Sequence, residues 1–268
     1  MAKVYSLDGK VKGSIQLPEM FSVVYRPDMI HRAVVSMQAS RRSRYATSPE
    51  AGLQTSAEYF GNRHRTYRMT INKGQSRLPR ELPGGGGLGK VRRVPHSKGG
   101  RRSHPPRGKD WTKKINNKEY ILALRSAISA TTDKELVKAR GHLIEGVLEI
   151  PLIVEDKFEA QKKTKDVLGI LEALGVGADL QRAKEKKIRA GRGKLRGRRF
   201  KKKKSILIVI NKDSGIKKGA KNIPGVDIAE VTELDVEMLA PGTHAGRLTL
   251  WTESAIKNIE RIEDDGSI

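Results

Sequence analysis

The sequence predicts an α/β fold in a single globular domain over residues 1–268, with a mainly parallel sheet and helices on both faces. Short apolar segments alternate with helical patterns through most of the chain, which is typical of parallel strands joined by crossover helices. Residues 46–112 interrupt this alternation and predict a long extended loop inserted between two helices. Basic residues are concentrated in this loop and again in residues 182–204, so the chain is expected to be a nearly neutral body with two basic segments.

The N-terminal part predicts two strands and a helix. The stretch VYSLDGKVKGSIQLP indicates two short strands joined by a turn at Asp8-Gly9. A helix is expected to begin at Pro27-Asp28, because the apolar side chains that follow recur at helical spacing. These side chains are Ile30, Ala33, Val34 and Met37.

Behind the first basic segment, the pattern predicts two more helices and a strand. Asn117 is expected to cap a helix whose buried side chains are Ile121, Leu124 and Ile128. Residues 132–135, Thr-Asp-Lys-Glu, have the form of a capping box and predict the start of the next helix. Residues 147–154, VLEIPLIV, predict an apolar strand, with Pro151 indicating an edge or a bulge.

The C-terminal half continues the alternation. A second capping-box pattern at 156–159 is expected to open a helix that ends at Gly175, with Val167, Leu168, Leu171 and Leu174 on its apolar side. Residues 205–210, SILIVI, predict a strand buried on both faces. Further strands are expected at 226–231 and 247–252, and a last helix is expected to bury Ala255, Ile256, Ile259 and Ile262.

The composition favours a cytoplasmic chain with a polyanionic partner. The formal net charge is +24, only 4% of the residues are aromatic, and there is no cysteine. Disulfides and thiolate metal sites are therefore excluded. No apolar run has the length of a membrane span, and the first residues lack the apolar core of a signal peptide, so we expect neither a membrane partner nor export.

The charge lies in two internal segments. Residues 41–110 hold 17 Lys or Arg against four acidic residues, and residues 182–204 hold 14 against one, so each segment has a net charge of +13. The rest of the chain carries −2, the difference between +24 and the +26 of the two segments. A solvated face or a disordered tail would also be basic, but such tails are more typical of chain termini. A partner rich in phosphate is therefore favoured.

The first basic segment has too few apolar residues to build its own core. Ordering it against itself would cost on the order of 1 kcal/mol per residue with little burial in return, so we expect it to be disordered until an anionic partner binds. Gly84–Gly89 resemble a dinucleotide or phosphate-binding motif only in letters. The residues before the glycines, RLPRELP, cannot form the buried strand that such motifs require.

No arrangement of residues indicates catalysis, a metal or a cofactor. The six histidines are scattered without metal-ligand spacing, and no serine lies in a nucleophile-elbow pattern. We therefore expect no enzyme activity. Two other classes stay open: a DNA-compacting protein, suggested by charge alone, and an RNA-modifying enzyme with a basic arm, which would need a cofactor cleft at the carboxyl ends of the strands.

RNA is the favoured partner. The stretch RAGRGKLRGRRFKKKK interleaves glycine with arginine, which binds phosphate bidentately and stacks on bases. Folded RNA offers grooves, bulges and splayed loops to such a chain, whereas duplex DNA recognition usually needs a recognition helix or zinc modules.

Several stretches carry a resemblance to a known family. GGRRSHPP at 99–106, the stretch at 189–204 and LAPGTHAGRLTLWTESA at 239–255 resemble the large-subunit ribosomal protein four family in its archaeal and eukaryotic form. The helices at 26–42 and 123–132 are similar to that family too. The eukaryotic C-terminal extension is absent after Ile268, so the archaeal type is expected.

The resemblance implies a structural ribosomal protein, in a ribonucleoprotein of the cytoplasm, that supports subunit assembly and translation. It also implies that the loop penetrates ribosomal RNA, touches neighbouring ribosomal proteins and reaches the nascent peptide in the exit tunnel. Contacts to RNA are expected in the first segment at Arg41, Arg42, Arg44, Arg63, Arg65, Arg68, Arg92, Arg93, Lys98, Arg101, Arg102, His104 and Arg107. In the second segment they are expected at Arg192, Lys194, Arg196, Arg198, Arg199, Lys201, Lys202, Lys203 and Lys204.

The tip of the loop is expected near the centre of the insertion, because a doubled-back chain places its centre farthest from the body. The residues expected to face the tunnel there are Arg77, Arg80, Leu82, Gly84, Gly85, Gly86, Gly87, Leu88 and Lys90.

Overall fold

The structure is a computed structural model that describes residues 1–59, 70–82, 84–85 and 87–259. The chain divides into two compact units. One, the body, consists of Met1–Arg41 and Thr112–Ile268, and the other is Arg42–Trp111. The second unit follows the first long helix in the sequence and precedes the next one. That it forms an extended loop stays a prediction.

The strands of the body alternate with helices along the sequence. In chain order the strands are β1 (Ala2–Tyr5), β2 (Val11–Ile15), β3 (Leu152–Val154), β4 (Lys187–Ile188), β5 (Phe200–Lys201), β6 (Leu207–Ile210), β7 (Asp227–Glu230) and β8 (Thr249–Thr252). The helices are α1 (Pro27–Ser40), α2 (Asn117–Ser129), α3 (Lys134–Ala139), α4 (Thr164–Ala173), α5 (Gly177–Lys184), α6 (Ile216–Ala220), α7 (Val236–Leu239) and α8 (Glu253–Asn258).

Within the described residues, a six-stranded sheet in the order β2-β1-β3-β8-β6-β7 forms the centre of the body. Every neighbouring pair is parallel except β1 and β2, which form the predicted N-terminal hairpin. The mainly parallel α/β class is therefore confirmed. Among the described residues, every helix is too short or too polar to span a membrane.

The core lies on both faces of this sheet. Along β6, Leu207 and Val209 point into one apolar cluster with α1 and α2, whereas Ile208 and Ile210 point into the opposite cluster with α4 and α6. All four side chains are fully buried. The apolar run that follows Ser205 in SILIVI is therefore explained as predicted, because a strand covered on both faces has no polar side. Trp251 on β8 packs edge to face with Phe21, with ring centres 5.3 Å apart.

Some element boundaries differ from the prediction. The strand expected at 147–154 is confined to Leu152–Val154, consistent with Pro151, which lacks the N–H that a ladder requires. The capping box at 156–159 is wrong: these residues lie in a 3-10 turn, and α4 begins only at Thr164. The carboxylate of Glu159 is instead buried, where it accepts hydrogen bonds from the Asn211 N–H and the Thr252 hydroxyl.

The predicted caps of α2 and α3 are each displaced by one residue. Asn117 is the first residue of α2 rather than its cap, and Ile121 is only half-buried. The cap of α3 is Asp133, whose side chain accepts a 2.8 Å hydrogen bond from the N–H of Glu135. A carboxylate caps as well as a hydroxyl, so Thr132 is not needed in that role. Ile262, expected in the last helix, lies outside the described residues.

Candidate nucleic-acid interface

The second basic segment forms a short antiparallel hairpin on the body. Strands β4 and β5 pair Lys187 with Lys201 and Ile188 with Phe200, and the N–H of Arg189 donates to the carbonyl of Arg199 at 2.8 Å. We call residues 187–201 the basic hairpin. It follows α5 and precedes β6, so both of its ends are fixed by elements of the body.

The end of the basic hairpin is a compact turn. Residues Arg192–Leu195 form one turn of 3-10 helix, and the N–H groups of Arg196 and Arg198 both donate to the carbonyl of Gly193 at 3.2 Å. Gly197 between them has a φ of +76°, a conformation that glycine adopts without strain. The turn therefore displays its basic side chains around a defined backbone.

The hairpin cations are available for a partner. In the part of the chain that the structure describes, no carboxylate pairs with seven exposed side chains of the hairpin, which are Lys187, Arg192, Lys194, Arg196, Arg198, Arg199 and Lys201. Lys202, directly after the hairpin, is also exposed and has no carboxylate partner there. The two lysines closest to β6 differ: Lys203 pairs with Glu185 at 3.0 Å and Lys204 pairs with Asp227 at 2.7 Å. The unpaired positive charge thus lies on the hairpin itself.

A buried carboxylate holds both ends of this segment. Asp179 on α5 is fully buried and accepts hydrogen bonds from Arg182 Nε at 2.8 Å, the Leu143 N–H at 3.1 Å and the Ser205 hydroxyl at 2.5 Å. His142 Nδ1 lies 3.1 Å from the same carboxylate, and because an ionised carboxylate only accepts, Nδ1 is the donor. Arg182 also donates to the carbonyl of Lys204 at 2.8 Å. The start and the end of the basic segment are therefore tied to one anion, which we call the Asp179 anchor.

The protonation of this anchor follows from its surroundings. Burial alone would raise the pKa of Asp179, but the hydrogen bonds from His142, Arg182 and Ser205 outweigh it and hold the pKa well below its usual range. Burial lowers the pKa of His142 and outweighs the hydrogen bond to Asp179. The pair is thus an ionised carboxylate beside a neutral imidazole that donates from Nδ1.

A second ion pair, between buried Arg247 and half-buried Asp227, supports the start of β6. The guanidinium of Arg247 is fully buried and donates to the carbonyl of Ser205 at 2.8 Å, the carbonyl of Met238 at 2.9 Å and the carboxylate of Asp227 at 2.6 Å. Burial lowers the pKa of Arg247, and the charge of Asp227 opposes this shift. Asp227 also binds Lys204, so the last residue of the basic segment is connected to this pair.

A cleft of about 580 Å³ lies beside this pair, lined by Lys204, Asp227, Met238 and Arg247 among others. Lys204 and Arg247 lie just before β6 and β8, Asp227 is the first residue of β7, and Met238 lies in α7. The cofactor site of an open parallel sheet lies instead at the carboxyl ends of its strands. The position of this cleft gives no support to an RNA-modifying enzyme.

In the unit Arg42–Trp111, the first and last residues of the unit lie side by side. Tyr45 stacks on Trp111 with ring centres 6.0 Å apart, and the guanidinium of Arg42 lies 3.8 Å from the centre of the Trp111 ring. Arg44 pairs with Asp110 at 2.9 Å. These contacts stabilise the meeting of the two ends through cation–π and stacking interactions.

Farther into this unit, Arg80–Glu81 and Lys90–Val91 pair on either side of the glycine-rich stretch, of which Gly84, Gly85 and Gly87 are described. Arg80 forms an antiparallel β-bridge with Val91, and the N–H of Glu81 donates to the carbonyl of Lys90 at 2.9 Å. Gly87 has a φ of +89°, which only glycine adopts readily. A Cβ added at the neighbouring Gly84 or Gly85 would meet nothing within 4 Å, so the space around these two positions is open.

Three of the predicted contact residues in this unit bind the chain itself. Arg92 pairs with Glu81 at 2.7 Å and donates to the carbonyl of Lys98 at 2.5 Å. Arg80 donates to the hydroxyl of Ser76 at 2.9 Å, and Arg93 donates to the carbonyl of Ala57 at 3.3 Å. These arginines stabilise the backbone of the unit, which buries only Ala57 and Thr70 among its described residues.

The other predicted residues are mostly exposed. In the first segment these are Arg77, Leu82, Lys90, Lys98, Arg101, Arg102, His104 and Arg107, while Leu88 is half-buried. Arg41, in the body, pairs with Glu237 at 2.6 Å. Arg63, Arg65, Arg68 and Gly86 lie outside the described residues. The assignment of all these side chains to RNA or to the tunnel stays a prediction.

Sequence reasoning missed the residues that position the basic hairpin. Asp179, His142 and Asp227 are far apart in the sequence and lie in none of the motifs described above, and Arg247 lies in the stretch at 239–255 without any sign there of its partners. The one sequence signal for this group is Asp179, an acidic residue in the first turn of the short helix that precedes the basic run.

The comparisons with known proteins agree with this arrangement. The model of the ribosomal protein L4/L1 family matches residues 15–262, which includes both basic segments. The chain belongs to this family. The predicted resemblance is therefore confirmed, and membership of a family of structural ribosomal components confirms that the chain is not an enzyme.

Relatives of this chain include archaeal proteins, as the archaeal type of the resemblance predicted. The chain is 49% identical over 261 residues to the large ribosomal subunit protein uL4 of Methanococcoides burtonii, with 97% of each chain covered. It is 48% identical over 258 residues to uL4 of Archaeoglobus fulgidus, with 96% of each chain covered. It is 46% identical over 260 residues to uL4 of Halorubrum lacusprofundi, covering 96% of this chain and 98% of that one.

Proposed function

We propose that this chain is a structural protein of the large ribosomal subunit in the cytoplasm that binds ribosomal RNA through its two basic segments. Its partners are large-subunit RNA and neighbouring ribosomal proteins, in keeping with the names of its relatives. The basic hairpin and the insertion both contact RNA, and the insertion reaches the nascent-peptide exit tunnel. The protein thereby supports subunit assembly and translation.

The observation that carries this proposal is the fixed display of unpaired cations on the basic hairpin. Seven exposed Lys or Arg side chains of the hairpin lack an acidic partner among the described residues, while the Asp179 anchor holds both ends of the segment. A basic segment that is only solvated needs no buried anchor. A basic segment that binds its partner in one orientation does need one, because phosphate contacts fix the register of a protein on nucleic acid.

The insertion supports the same role by its composition. Its described residues bury almost no apolar surface, so its own contacts contribute little to ordering it. The cations between Lys98 and Lys109 are all exposed. RNA helices on either side would supply the missing contacts.

The exit-tunnel proposal depends on the glycine-rich stretch at Gly84–Gly87. Where the structure describes these glycines, they present backbone without side chains to open space, so they would narrow a passage little. The exposed Leu82 nearby is suited to contact with bases or a passing peptide.

The salt dependence of RNA binding tests the role of the hairpin. Replacing Arg196, Arg198 and Arg199 with Ala should weaken binding to large-subunit RNA and reduce the slope of log K against log[salt]. The loss is about 0.7 to 0.9 per phosphate contact, so about 2 to 3 in total.

A matched control removes the same charge elsewhere. Replacing the exposed Lys162, Lys163 and Lys165 on the body with Ala should leave affinity and slope nearly unchanged. Equal losses in the two triple variants would show that only net charge matters. Equal binding of the native chain to duplex DNA and to this RNA in matched salt would favour the DNA-compacting class instead.

Crosslinking of a stalled nascent chain tests the tunnel. Deleting residues 77–92 should leave the sheet of the body intact and change the crosslinks between the peptide and this protein. Crosslinks that persist unaltered in the deletion, or that map only to the body, would overturn the tunnel placement.

A further inference from the structure

The basic hairpin exposes apolar side chains as well as cations. Ile188 is 57% exposed, Leu195 is 81% exposed and Phe200 is 42% exposed. A large apolar side chain that lies in water contributes nothing to folding, and burying it in a partner is favourable by roughly 25 cal/mol per Å². Three such side chains within a hairpin this short indicate a contact surface.

Two of these side chains form one patch. Ile188 and Phe200 are directly opposite each other in the register of β4 and β5, so their side chains lie on the same face of the hairpin. The guanidinium of Arg199 lies 5.5 Å from the centre of the Phe200 ring, and Lys186 Nζ lies 6.0 Å from it. The patch therefore combines exposed apolar side chains with two cations that lie over the Phe200 ring.

The partner that fits must combine a flat apolar surface with negative charge. An unpaired nucleobase attached to its phosphate has this combination, whereas the bases of a duplex hide their faces in the helical stack. An acidic peptide would satisfy the cations but offers no comparable flat surface to the ring.

We propose that Phe200, together with Ile188, is a stacking platform for an unpaired base, and that the neighbouring cations hold the phosphates of that strand. The basic hairpin then recognises a loop or bulge in RNA rather than a regular duplex. This rests on the proposed function, because it concerns how the same hairpin binds ribosomal RNA.

The test compares two RNA probes and substitutions of one ring. The probes are an RNA stem-loop with 2-aminopurine in its loop and a blunt RNA duplex of equal charge, each bound to the full chain in matched salt. Phe200→Leu should weaken stem-loop binding roughly 5- to 150-fold, the range for loss of one base–aromatic stack. Phe200→Trp should retain binding and the quenching of 2-aminopurine. The exposed Tyr25 provides the matched control, and Tyr25→Leu should change nothing.

The outcomes separate the stacking proposal from the proposed function. Phe200→Leu should leave the salt slope unchanged, because the ring contacts no phosphate, whereas Arg196→Ala with Arg198→Ala should lower it. Native affinity for the stem-loop that equals the affinity for the duplex would overturn the stacking proposal. So would an unaltered stem-loop affinity in Phe200→Leu, and RNA binding by the hairpin would then still stand if the arginine variant loses affinity. If the arginine variant also binds normally, the hairpin is not an RNA-binding element.

Discussion

Removing the carboxylate of Asp179 should loosen the base of the basic hairpin and destabilise the body. Asp179→Ala deletes the acceptor of four hydrogen bonds, from His142, Leu143, Arg182 and Ser205. The Asp179 side chain is fully buried, and the side chain of Arg182 is only 18% exposed. Neither the guanidinium nor the other donors can regain full hydration in the folded variant.

The magnitude follows from this geometry. Breaking a buried ion pair by removing one partner costs about 3 to 5 kcal/mol of the free energy of unfolding, and each buried donor left without an acceptor costs about 1 to 3 kcal/mol. Arg182 retains some access to water, so we expect about 3 to 5 kcal/mol in total. This corresponds to a decrease in Tm of roughly 6 to 20 °C for a chain of this size.

Urea denaturation followed by far-UV circular dichroism measures this loss, with Glu185→Ala as the control. Glu185 pairs with Lys203 at the same end of the hairpin, but its side chain is 77% exposed, so its loss should cost less than about 1 kcal/mol. RNA binding by folded Asp179→Ala should weaken while its salt slope stays unchanged, because no phosphate-binding cation is removed. A loss of stability in Asp179→Ala no larger than in the control would refute the anchor.

Lowering the pH from 7 toward 5 should destabilise the native chain through His142. The pKa of His142 in the folded protein lies below the ordinary 6.5, so the unfolded chain takes up the proton first as the pH falls. The stability that is present above pH 6.5 is therefore lost below it. His142→Asn should flatten the urea-derived stability profile between pH 7 and 5. Gly246→Ala should lower the free energy of unfolding by more than about 2 kcal/mol, because Gly246 has a φ of +83° and a Cβ there would lie 2.7 Å from the backbone of Leu136. Gly13→Ala is the control in thermal melting, because Gly13 has open space around it and an ordinary φ. Equal Tm values for the two variants would contradict the strain at Gly246. Limited proteolysis of the free chain should cut at Lys and Arg within 42–109 before the body is degraded, because that unit buries so little; resistance there without RNA would exclude disorder of the free insertion.

The sequence predicts the sheet well because its signals are local and strong. The run at 206–210 is apolar at every position, and only a strand covered on both faces explains it. Gly175 ends its helix with a φ of +81° as expected. Prediction fails where a side chain has a tertiary partner, as with Glu159, which reads as a capping residue but binds Asn211 and Thr252 across the sheet.

The candidate site divides in the same way. Its cations are evident from the sequence, because a run such as RGRRFKKKK is typical of segments that bind nucleic acid. The residues that hold these cations in place are not evident. Asp179 and His142 are 37 positions apart. Arg247 and Asp227 are 20 positions apart. Their pairing is a property of the folded sheet and has no counterpart in local periodicity. The same holds for Arg80 and Arg92, whose partners within the insertion are set by the pairing on either side of the glycine-rich stretch.

Mapping of ultraviolet crosslinks between this protein and ribosomal RNA in purified large subunits tests the central claim most directly. Mass spectrometry of the crosslinked peptides should place RNA on the basic hairpin, at residues 187–201, and on the exposed cations of residues 98–109. Phe200 should be among the crosslinked side chains if the base stacks on its ring. Crosslinks confined to the helices and strands of the body, with none in either basic segment, would contradict the account.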